Sequence, residues 1–381
     1  MKNGLVVLLS LLVTACATAP EVPRPDHLLN DRLFVAPSER IRAEDVFALS
    51  GEMRRYLETD IGEQLRTKGA QQGLIDALYS KNQLKVEYDS AKTRNAAQTF
   101  AERAGNCLSL MIMTAALAKE LGLSVHYQSV VVDEVWSRSG GLYFAIGHVN
   151  LTIGRRYHDI RSRIDDNAYL TIDFLPLGET RGQRSSAITE NTVVAMYMNN
   201  RAAESLARGQ VNDAYWWARE AIRQDPGFVS SYNTLGVVYR RHGNSLEAEQ
   251  ALVHGLRRDP ENSQLISNLA AVLGDQGRVA ESGVLAAKLE QKRPYPPYHF
   301  FNLGVAAMEA GDLRTAKEMF AKEVDRDAYN HEFHFWLSAA YARLGDTERA
   351  RRHLGIAMEF SNTRQERELY AAKLDRIRSY H

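Results

Sequence analysis

Cys107, one of two cysteines in the 381-residue chain, stands where a nucleophile would be expected. Gly105 and Asn106 precede it, a turn residue followed by a good helix N-cap. An almost entirely apolar run continues to Gly122, which predicts a buried helix with Cys107 in its first turn. The free backbone N–H groups and the positive end of the helix dipole favour a thiolate there. On residue type alone, a cysteine that only fills space is the more common case.

The segment after this helix offers partners for the thiol. Alternation of apolar and polar residues predicts strands over residues 124–132, 142–153 and 169–175. A loop with Trp136 separates the first two strands, and a charged hairpin end over 155–167 separates the last two. His148 and Asp173 project from the same side if their strands are neighbours. That is the geometry of a base and its orienting carboxylate.

A helix-start cysteine, a strand histidine and a strand aspartate, in this order, resemble the transglutaminase-like cysteine peptidase superfamily. The matching motifs are Gly105-Asn106-Cys107, Gly147-His148 and Ile172-Asp173. The resemblance implies an α+β, papain-like domain in which Cys107 is the nucleophile. It also implies that His148 holds the thiolate as an ion pair and moves protons, while Asp173 orients the imidazole.

Two departures from the family bear on the reaction. Leu108 and Val149 stand where cross-linking transglutaminases have tryptophan, so hydrolysis of a peptide or amide is favoured over amine transfer. Asn106 is a candidate oxyanion donor beside the Cys107 backbone N–H, with Gln98 as a weaker choice. Capping the helix is the alternative role of Asn106, and the residue type favours it.

The N-terminus predicts export. Lys2 and a short apolar run over 4–12 lead to the small residues before Cys16, the pattern of a signal peptide. The sequence V-T-A-C resembles the bacterial lipobox, which implies cleavage after Ala15 and lipidation of Cys16. Ala17 then favours sorting to the outer membrane, facing the periplasm; an ordinary secreted protein is the alternative. Cys107 would be the only unmodified thiol of an exported protein, which favours a function for it.

Composition excludes some classes of function. Lys and Arg together number 47, as do Asp and Glu, so no net charge favours nucleic acid. The sequence shows no Cys/His cluster of zinc type, and it predicts neither a metal nor another cofactor. The spacing of His331 and His334 is compatible with a metal but has no third ligand.

Helical periodicity precedes the cysteine. Apolar spacing predicts a helix from Ala43 to before Ile61, a weaker helix over 65–80 and a helical or turn segment over 95–103. Residues 28–38 read as an ordered, irregular lead-in, and residues 84–88 as a short strand or an extended link.

The C-terminal half is repetitive. Glycines recur 34 residues apart, at Gly209, Gly243, Gly277, Gly311 and Gly345. Five residues after each stands a small residue, where two helices would pack closely. This period resembles the tetratricopeptide repeat and implies an all-α solenoid of five repeats over 195–364 with a capping helix over 365–381. The first unit departs most, with Met198 and Arg201 at expected packing positions.

Solenoids of this family bind extended peptides or proteins on their concave face. The resemblance implies that first-helix positions line it, here Asn233, Arg240, Tyr298, Phe301, Met308 and Phe335. Packing between repeats is the alternative role of these aromatic residues.

These observations predict a signal peptide over 1–15, a lipid-anchored tether over 16–35 and a transglutaminase-like domain over 36–185, followed by the repeats. The function expected is a lipoprotein cysteine peptidase or amidase whose repeats recruit a protein or peptide substrate. A non-catalytic periplasmic adaptor is the alternative, and an amine-transferring transglutaminase is a second one.

Overall fold

A computed structural model describes residues 25–79, 84, 86–139, 142–154, 169–174 and 184–379. The predicted signal peptide and residues 16–24 of the predicted tether lie outside the described residues, as does the charged hairpin end, whereas residues 25–35 of the tether are described. An α/β part comes first, and a helical array follows it. Within the described part of the chain, no helix is long and apolar enough to cross a membrane.

Five α-helices of the described chain precede the sheet, together with a short pair of strands, and a π-helical segment, Tyr56–Asp60, continues from the first of them. The five α-helices are α1 (Gly51–Arg55), α2 (Gly62–Lys68), α3 (Ala70–Tyr79), α4 (Ala96–Glu102) and α5 (Cys107–Glu120). β1 (Glu87–Tyr88) runs parallel to β2 (Ala104–Gly105), so the segment predicted as strand or link contains a strand.

Two predicted helices are shorter than the sequence indicated. The first begins at Gly51 rather than Ala43, because the Ser50 side chain accepts a hydrogen bond from the Met53 backbone N–H at 3.2 Å and caps it there. The predicted helix over 65–80 is two helices that meet at Gly69. Its φ of +83° is a left-handed conformation that ends α2.

Helix α5 forms the centre of the α/β core, as predicted. Every residue from 107 to 118 is buried, so the helix has no solvent face along this stretch. Gly122 ends it with a φ of +72°, and its N–H donates to the Lys119 carbonyl at 2.9 Å. Burying large apolar side chains at about 1.5–3 kcal/mol each makes this helix a main source of stability.

Four strands form one antiparallel sheet in the order β5-β4-β3-β6. They are β3 (Ser124–Ser139), β4 (Leu142–Gly154), β5 (Tyr169–Ile172) and β6 (Ser185–Ile188). The prediction of a loop around Trp136 is wrong, because Trp136 pairs with Ala145 in the ladder between β3 and β4. β5 ends at Ile172, earlier than predicted, and the sequence did not indicate β6.

Ten helices of the described chain form the repeats, and one more follows them. The pairs are α6 (Glu190–Ala207) with α7 (Val211–Gln224), α8 (Ser230–His242) with α9 (Ser245–Arg258), α10 (Ser263–Asp275) with α11 (Val279–Lys292), α12 (His299–Glu309) with α13 (Leu313–Arg326), and α14 (His331–Arg343) with α15 (Thr347–Glu359). We call these pairs units 1 to 5. α16 (Arg364–Ser379) follows them at the predicted capping position.

The 34-residue glycines join the two helices of each unit. All five have φ between +76° and +89°, which only glycine adopts without strain. Close helix packing requires other glycines: a Cβ at Gly304 would stand 2.6 Å from the Phe320 ring. Unit 1 begins at Glu190, earlier than predicted.

The two residues of unit 1 that depart from the repeat pattern are nevertheless packed between helices. Met198 is fully buried, and Arg201 is only 6% exposed. The Arg201 guanidinium lies 5.3 Å from the Trp217 ring centroid and pairs with Glu39 at 2.9 Å. The aliphatic part of the Arg201 side chain fills the position where an apolar residue was expected, and Glu39 compensates its charge.

The lead-in packs on units 1 and 2. Phe34 stacks on Tyr215 with ring centroids 3.9 Å apart. The Tyr239 hydroxyl donates to the Leu28 carbonyl at 2.8 Å, and the Trp216 indole N–H donates to the Val35 carbonyl at 2.6 Å. These contacts join the start of the described chain to the repeats.

Candidate functional site

Cys107 occupies the first position of α5. Asn106 sets this start, because its Oδ1 accepts a hydrogen bond from the Ser109 backbone N–H at 2.9 Å. Gly105 is required beside it, since a Cβ there would stand 2.7 Å from the Ser109 Cβ. The thiol is free and only 8% exposed. It therefore lies at the positive end of the α5 dipole, as the sequence predicted.

The structure brings His148 and Asp173 together. His148 lies on β4, and Asp173 directly follows β5, its neighbour in the sheet. His148 Nε2 is 2.8 Å from Asp173 Oδ1, and the imidazole is only 2% exposed. The other carboxylate oxygen accepts a hydrogen bond from Asn150 Nδ2 at 3.2 Å. Both oxygens of Asp173 are thus held, which keeps the imidazole in one orientation.

The charge state of His148 follows from these neighbours. Burial lowers its pKa, but the Asp173 hydrogen bond and the neighbouring Cys107 sulfur raise it to about 9 overall. The imidazolium is therefore the main form at neutral pH. Nδ1, the nitrogen not bound to Asp173, is buried and makes no hydrogen bond with the described residues. The Cys107 side chain lies close enough to raise the pKa of His148, and this contact can tighten into a well-aligned hydrogen bond when a substrate binds.

The two oxyanion candidates are both engaged as helix caps. Asn106 Oδ1 caps α5, and its Nδ2 donates to Thr93 Oγ1 at 3.0 Å. Gln98 is exposed and completes the capping box of α4, where its Oε1 accepts from the Asn95 N–H at 3.2 Å. Asn106 still borders the cavity in front of Cys107, whereas Gln98 does not.

A cavity of about 1770 Å³, which we call the chamber, separates the α/β part from the repeats. Cys107 and His148 border it on one side. Residues of the first helices α6, α8, α10 and α14 border it as well, and we call that surface the inner face. The thiol and the inner face of the repeats therefore share one space.

The end of the solenoid returns to the α/β part. The Ser90 backbone N–H, just after β1, donates to the Asn362 carbonyl at 2.8 Å. Arg364, at the start of α16, pairs with Glu87 at 3.0 Å. Because unit 1 also packs against α5, the repeats begin and end on the α/β part and curve around the chamber.

The far end of the β3–β4 hairpin lies against units 4 and 5. Trp136 packs on the aromatic cluster of α12 and α14. Arg138 forms an ion pair with Glu332 of α14, with 2.6 Å between Nη2 and Oε1. Tyr143 and Tyr298 have ring centroids 5.4 Å apart. Part of the inner face is therefore covered by the chain itself.

Four of the six predicted partner-binding residues border the chamber. They are Asn233, Arg240, Tyr298 and Phe335. Contrary to the prediction, Phe301 and Met308 do not border the chamber and are 0% and 7% exposed within the core between units 4 and 5; Tyr298 borders the chamber but is only 3% exposed in the same core. Phe301 packs against Phe320 of its own unit, so these side chains hold helices together.

Several residues of the site were not predicted. Asn150, which holds Asp173, shares a strand face with His148 and could have been found from the alternation. Glu204 of unit 1 accepts from the Thr93 backbone N–H at 2.6 Å and borders the chamber. Burial raises its pKa. Because Thr93 and Glu204 are 111 residues apart, no local pattern could have joined them.

The C-terminal histidines have local partners. His334 Nδ1 lies 3.0 Å from His353 Nδ1, and His331 Nδ1 lies 2.9 Å from the Tyr370 hydroxyl. Among the described residues, no group of three or more His, Cys, Asp or Glu side chains could hold a metal ion.

A family model described as tetratricopeptide repeat matches residues 217–250. The chain is 26% identical over 121 residues to the type IV pilus assembly protein PilF of Pseudomonas aeruginosa, covering 31% of this chain and 48% of that protein. It is 36% identical over 85 residues to the small glutamine-rich tetratricopeptide repeat-containing protein 2 of Mycosarcoma maydis, covering 22% and 24%. The chain thus spans about half and a quarter of the lengths of these relatives.

Solved structures give the same kind of match. A structure of PilF from Pseudomonas aeruginosa has a TM-score of 0.28 at 18% identity, covering 50% of this chain and 94% of that one. MamA from Desulfovibrio magneticus RS-1 has a TM-score of 0.27 at 20% identity, covering 47% and 99%. The helix pairs, their 34-residue period and the matched family model together identify the C-terminal part of the chain as tetratricopeptide repeats.

Proposed function

We propose that the protein binds an extended polypeptide in the chamber, along the inner face of the repeats. The observation that carries this proposal is that the inner face and the α/β part border one open space of about 1770 Å³. Pockets for small molecules are typically about 300–1,000 Å³, so this space suits a longer ligand. Amide side chains border it, among them Asn200, Asn233 and Asn268. Such amides can pair with the backbone N–H and C=O groups of an extended chain.

We further propose that the α/β part acts on this polypeptide as a transglutaminase-like thiol acyl-transfer domain. The observation that favours it is His148, buried, hydrogen-bonded to Asp173 and with its other ring nitrogen unpaired beside Cys107. The thiolate would attack a substrate amide carbonyl, and the imidazolium would give its proton to the departing amine. The resulting thioester would then be cleaved by water, with neutral His148 taking the proton. Leu108 and Val149, in place of tryptophan, favour water over an amine as the acceptor.

A non-catalytic adaptor is the competing proposal. The comparisons support it, because the matched family model is a tetratricopeptide repeat at residues 217–250. The low exposure of Cys107 also suits a residue that only packs. In this alternative the chamber holds a partner, and the α/β part closes the chamber.

Thiol labelling separates the two proposals. We expect iodoacetamide to alkylate Cys107 at about pH 6 faster than a model thiol and at least tenfold faster than in His148→Ala, because the imidazolium holds the thiolate. His126→Ala is the matched control, since His126 is exposed on β3 and outside the chamber. Equal rates in wild type and His148→Ala would support the adaptor.

Binding is tested separately with Cys107→Ala, which cannot turn over a substrate. We expect this variant to retain extended peptides from a library and Asn233→Ala/Asn268→Ala to retain them more weakly. Identical retention by both variants would place the ligand elsewhere.

We also propose that the mature chain is a lipoprotein of the bacterial outer membrane, anchored through Cys16 and facing the periplasm. The support is the sequence V-T-A-C after an apolar run. Cys16→Ser should abolish acyl labelling and release the protein from membranes. A membrane-bound Cys16→Ser variant would refute this anchor.

A further inference from the structure

We infer that units 4 and 5 act as a clamp on the β3–β4 hairpin, and that Glu332 is a positioning residue for His148. This inference rests on the proposed catalytic function. The clamp consists of Tyr298, Phe301 and Glu332, which hold Arg138 and Tyr143 near the hairpin tip. The repeats would then set the geometry of the triad in addition to binding a partner.

The ion pair at the clamp is well formed. Arg138 Nε lies 3.1 and 3.2 Å from the two oxygens of Glu332, and Nη2 lies 2.6 Å from Oε1. Such a forked contact fixes the direction of both side chains. The side chains are 37% and 23% exposed, so the pair is partly shielded from water.

Aromatic rings add a second layer of contact. The Arg138 guanidinium lies 4.4 Å from the Phe301 ring centroid and 5.3 Å from that of Tyr298. The Tyr143 hydroxyl accepts from Asn302 Nδ2 at 3.4 Å. Arg138 is thus held both by a carboxylate and by two ring faces.

The backbone conformation of Tyr298 also supports the clamp. Its φ is +62°, and the only other non-glycine residue with positive φ in the described chain is Arg103. A left-handed conformation is unfavourable for such a residue, because its Cβ crowds the following carbonyl oxygen. Here it places the Tyr298 ring beside both Arg138 and Tyr143.

His148 lies where the hairpin changes register. It pairs with Val130, the last residue of β3 before the ladder shifts and resumes at Val135 opposite Ile146. On one side of His148, the rest of the sheet supports β3 and β4. On the other side, toward the hairpin tip, the clamp supports them. A two-stranded ribbon is at best marginally stable by itself. Releasing the tip would therefore loosen the strand that aims His148 at Cys107.

The experiment combines two readouts on the full chain. Hydrogen exchange of residues 142–148 reports docking of the hairpin, and the alkylation rate of Cys107 from about pH 6 to 9 reports the triad. The variants are Glu332→Gln and the exchanged pair Arg138→Glu/Glu332→Arg. The matched control is Glu249→Gln, which breaks the Arg278–Glu249 pair of 2.7 Å away from the hairpin and the chamber.

We expect Glu332→Gln to speed exchange of 142–148 and to slow alkylation, each about tenfold, because a charged hydrogen bond is stronger than the neutral one that glutamine can form. The pH profile should shift toward that of His148→Ala. The exchanged pair should restore both readouts in part, and Glu249→Gln should change neither.

The outcomes that overturn the inference differ from those that overturn the proposed function. Unchanged exchange in Glu332→Gln would refute the clamp. Faster exchange with an unchanged alkylation profile would refute a positioning role. Only equal alkylation of wild type and His148→Ala refutes the catalytic proposal, and the exchange readout still tests the clamp in that case.

Discussion

Replacing Asp173 with asparagine tests the electrostatics of the site directly. The variant retains a side-chain oxygen that can accept from His148 Nε2 but removes the negative charge. In the native chain, burial lowers the pKa of His148, and the Asp173 hydrogen bond with the neighbouring Cys107 sulfur raises it from 6.5 to about 9. Without the carboxylate, burial should prevail and leave the imidazole neutral at pH 7.

The magnitude follows from this shift. A rise from 6.5 to about 9 corresponds to about 3 kcal/mol of stability at 1.36 kcal/mol per pKa unit. Because the pKa is higher in the folded state, this stability is fully present below pH 6.5 and is lost as the pH rises through about 9. The Asp173 hydrogen bond is the largest of the causes that raise this pKa. We therefore expect Asp173→Asn to cost about 2 kcal/mol near pH 6 and much less above pH 9.

Urea denaturation of wild type and variant at about pH 6 and about pH 9.5 measures this difference. Asp76→Asn is the control, because Asp76 forms a surface ion pair with Lys68 and does not contact His148. Its effect should be below about 1 kcal/mol and nearly independent of pH. A difference between wild type and Asp173→Asn that is equal at both pH values would refute the charged His148–Asp173 pair.

Three further predictions concern the repeats. Gly243→Ala should lower the free energy of unfolding by about 1 kcal/mol, because Gly243 has a φ of +89° and open space around it. Gly283→Ala, in a helix with equally open space, should instead be neutral or stabilising, as thermal denaturation of both would show. Gly304→Ala should cost about 1–3 kcal/mol, since its Cβ would meet the Phe320 ring; an unchanged melting temperature would contradict this packing. Burial and neighbouring positive charges lower the pKa of His353 to about 4, so acidification from pH 6.5 toward 4 should destabilise wild type by about 2 kcal/mol more than His353→Gln in urea denaturation.

Local patterns were sufficient where each element depends on its own residues. The cap at Asn106, the apolar run after it and Gly122 define α5 without reference to the rest of the chain. The 34-residue glycines likewise define every unit of the solenoid, because each unit repeats one helical hairpin. Strand alternation also placed His148 and Asp173 on one side of the sheet.

Predictions from local patterns failed where contacts beyond the pattern determine the structure. Periodicity extended the first helix back to Ala43, but the Ser50 side chain starts it later. Trp136 looked like a loop residue, since only pairing with β4 and packing on units 4 and 5 keep it in a strand. The sequence predicted Phe301 as a binding residue because it occupies a first-helix position of its repeat. The neighbouring helices bury its side chain instead.

The sequence by itself determined the repeats, the start of α5 and the order of Cys107, His148 and Asp173. Only the tertiary structure decided that the solenoid curves back to the α/β part at Asn362 and turns its inner face toward the thiol. It alone decided that the β3–β4 hairpin covers part of that face. The physical reason is that these contacts join residues more than 150 positions apart, such as Arg138 and Glu332. Their formation depends on the summed curvature of five units, and no short stretch of sequence encodes that curvature.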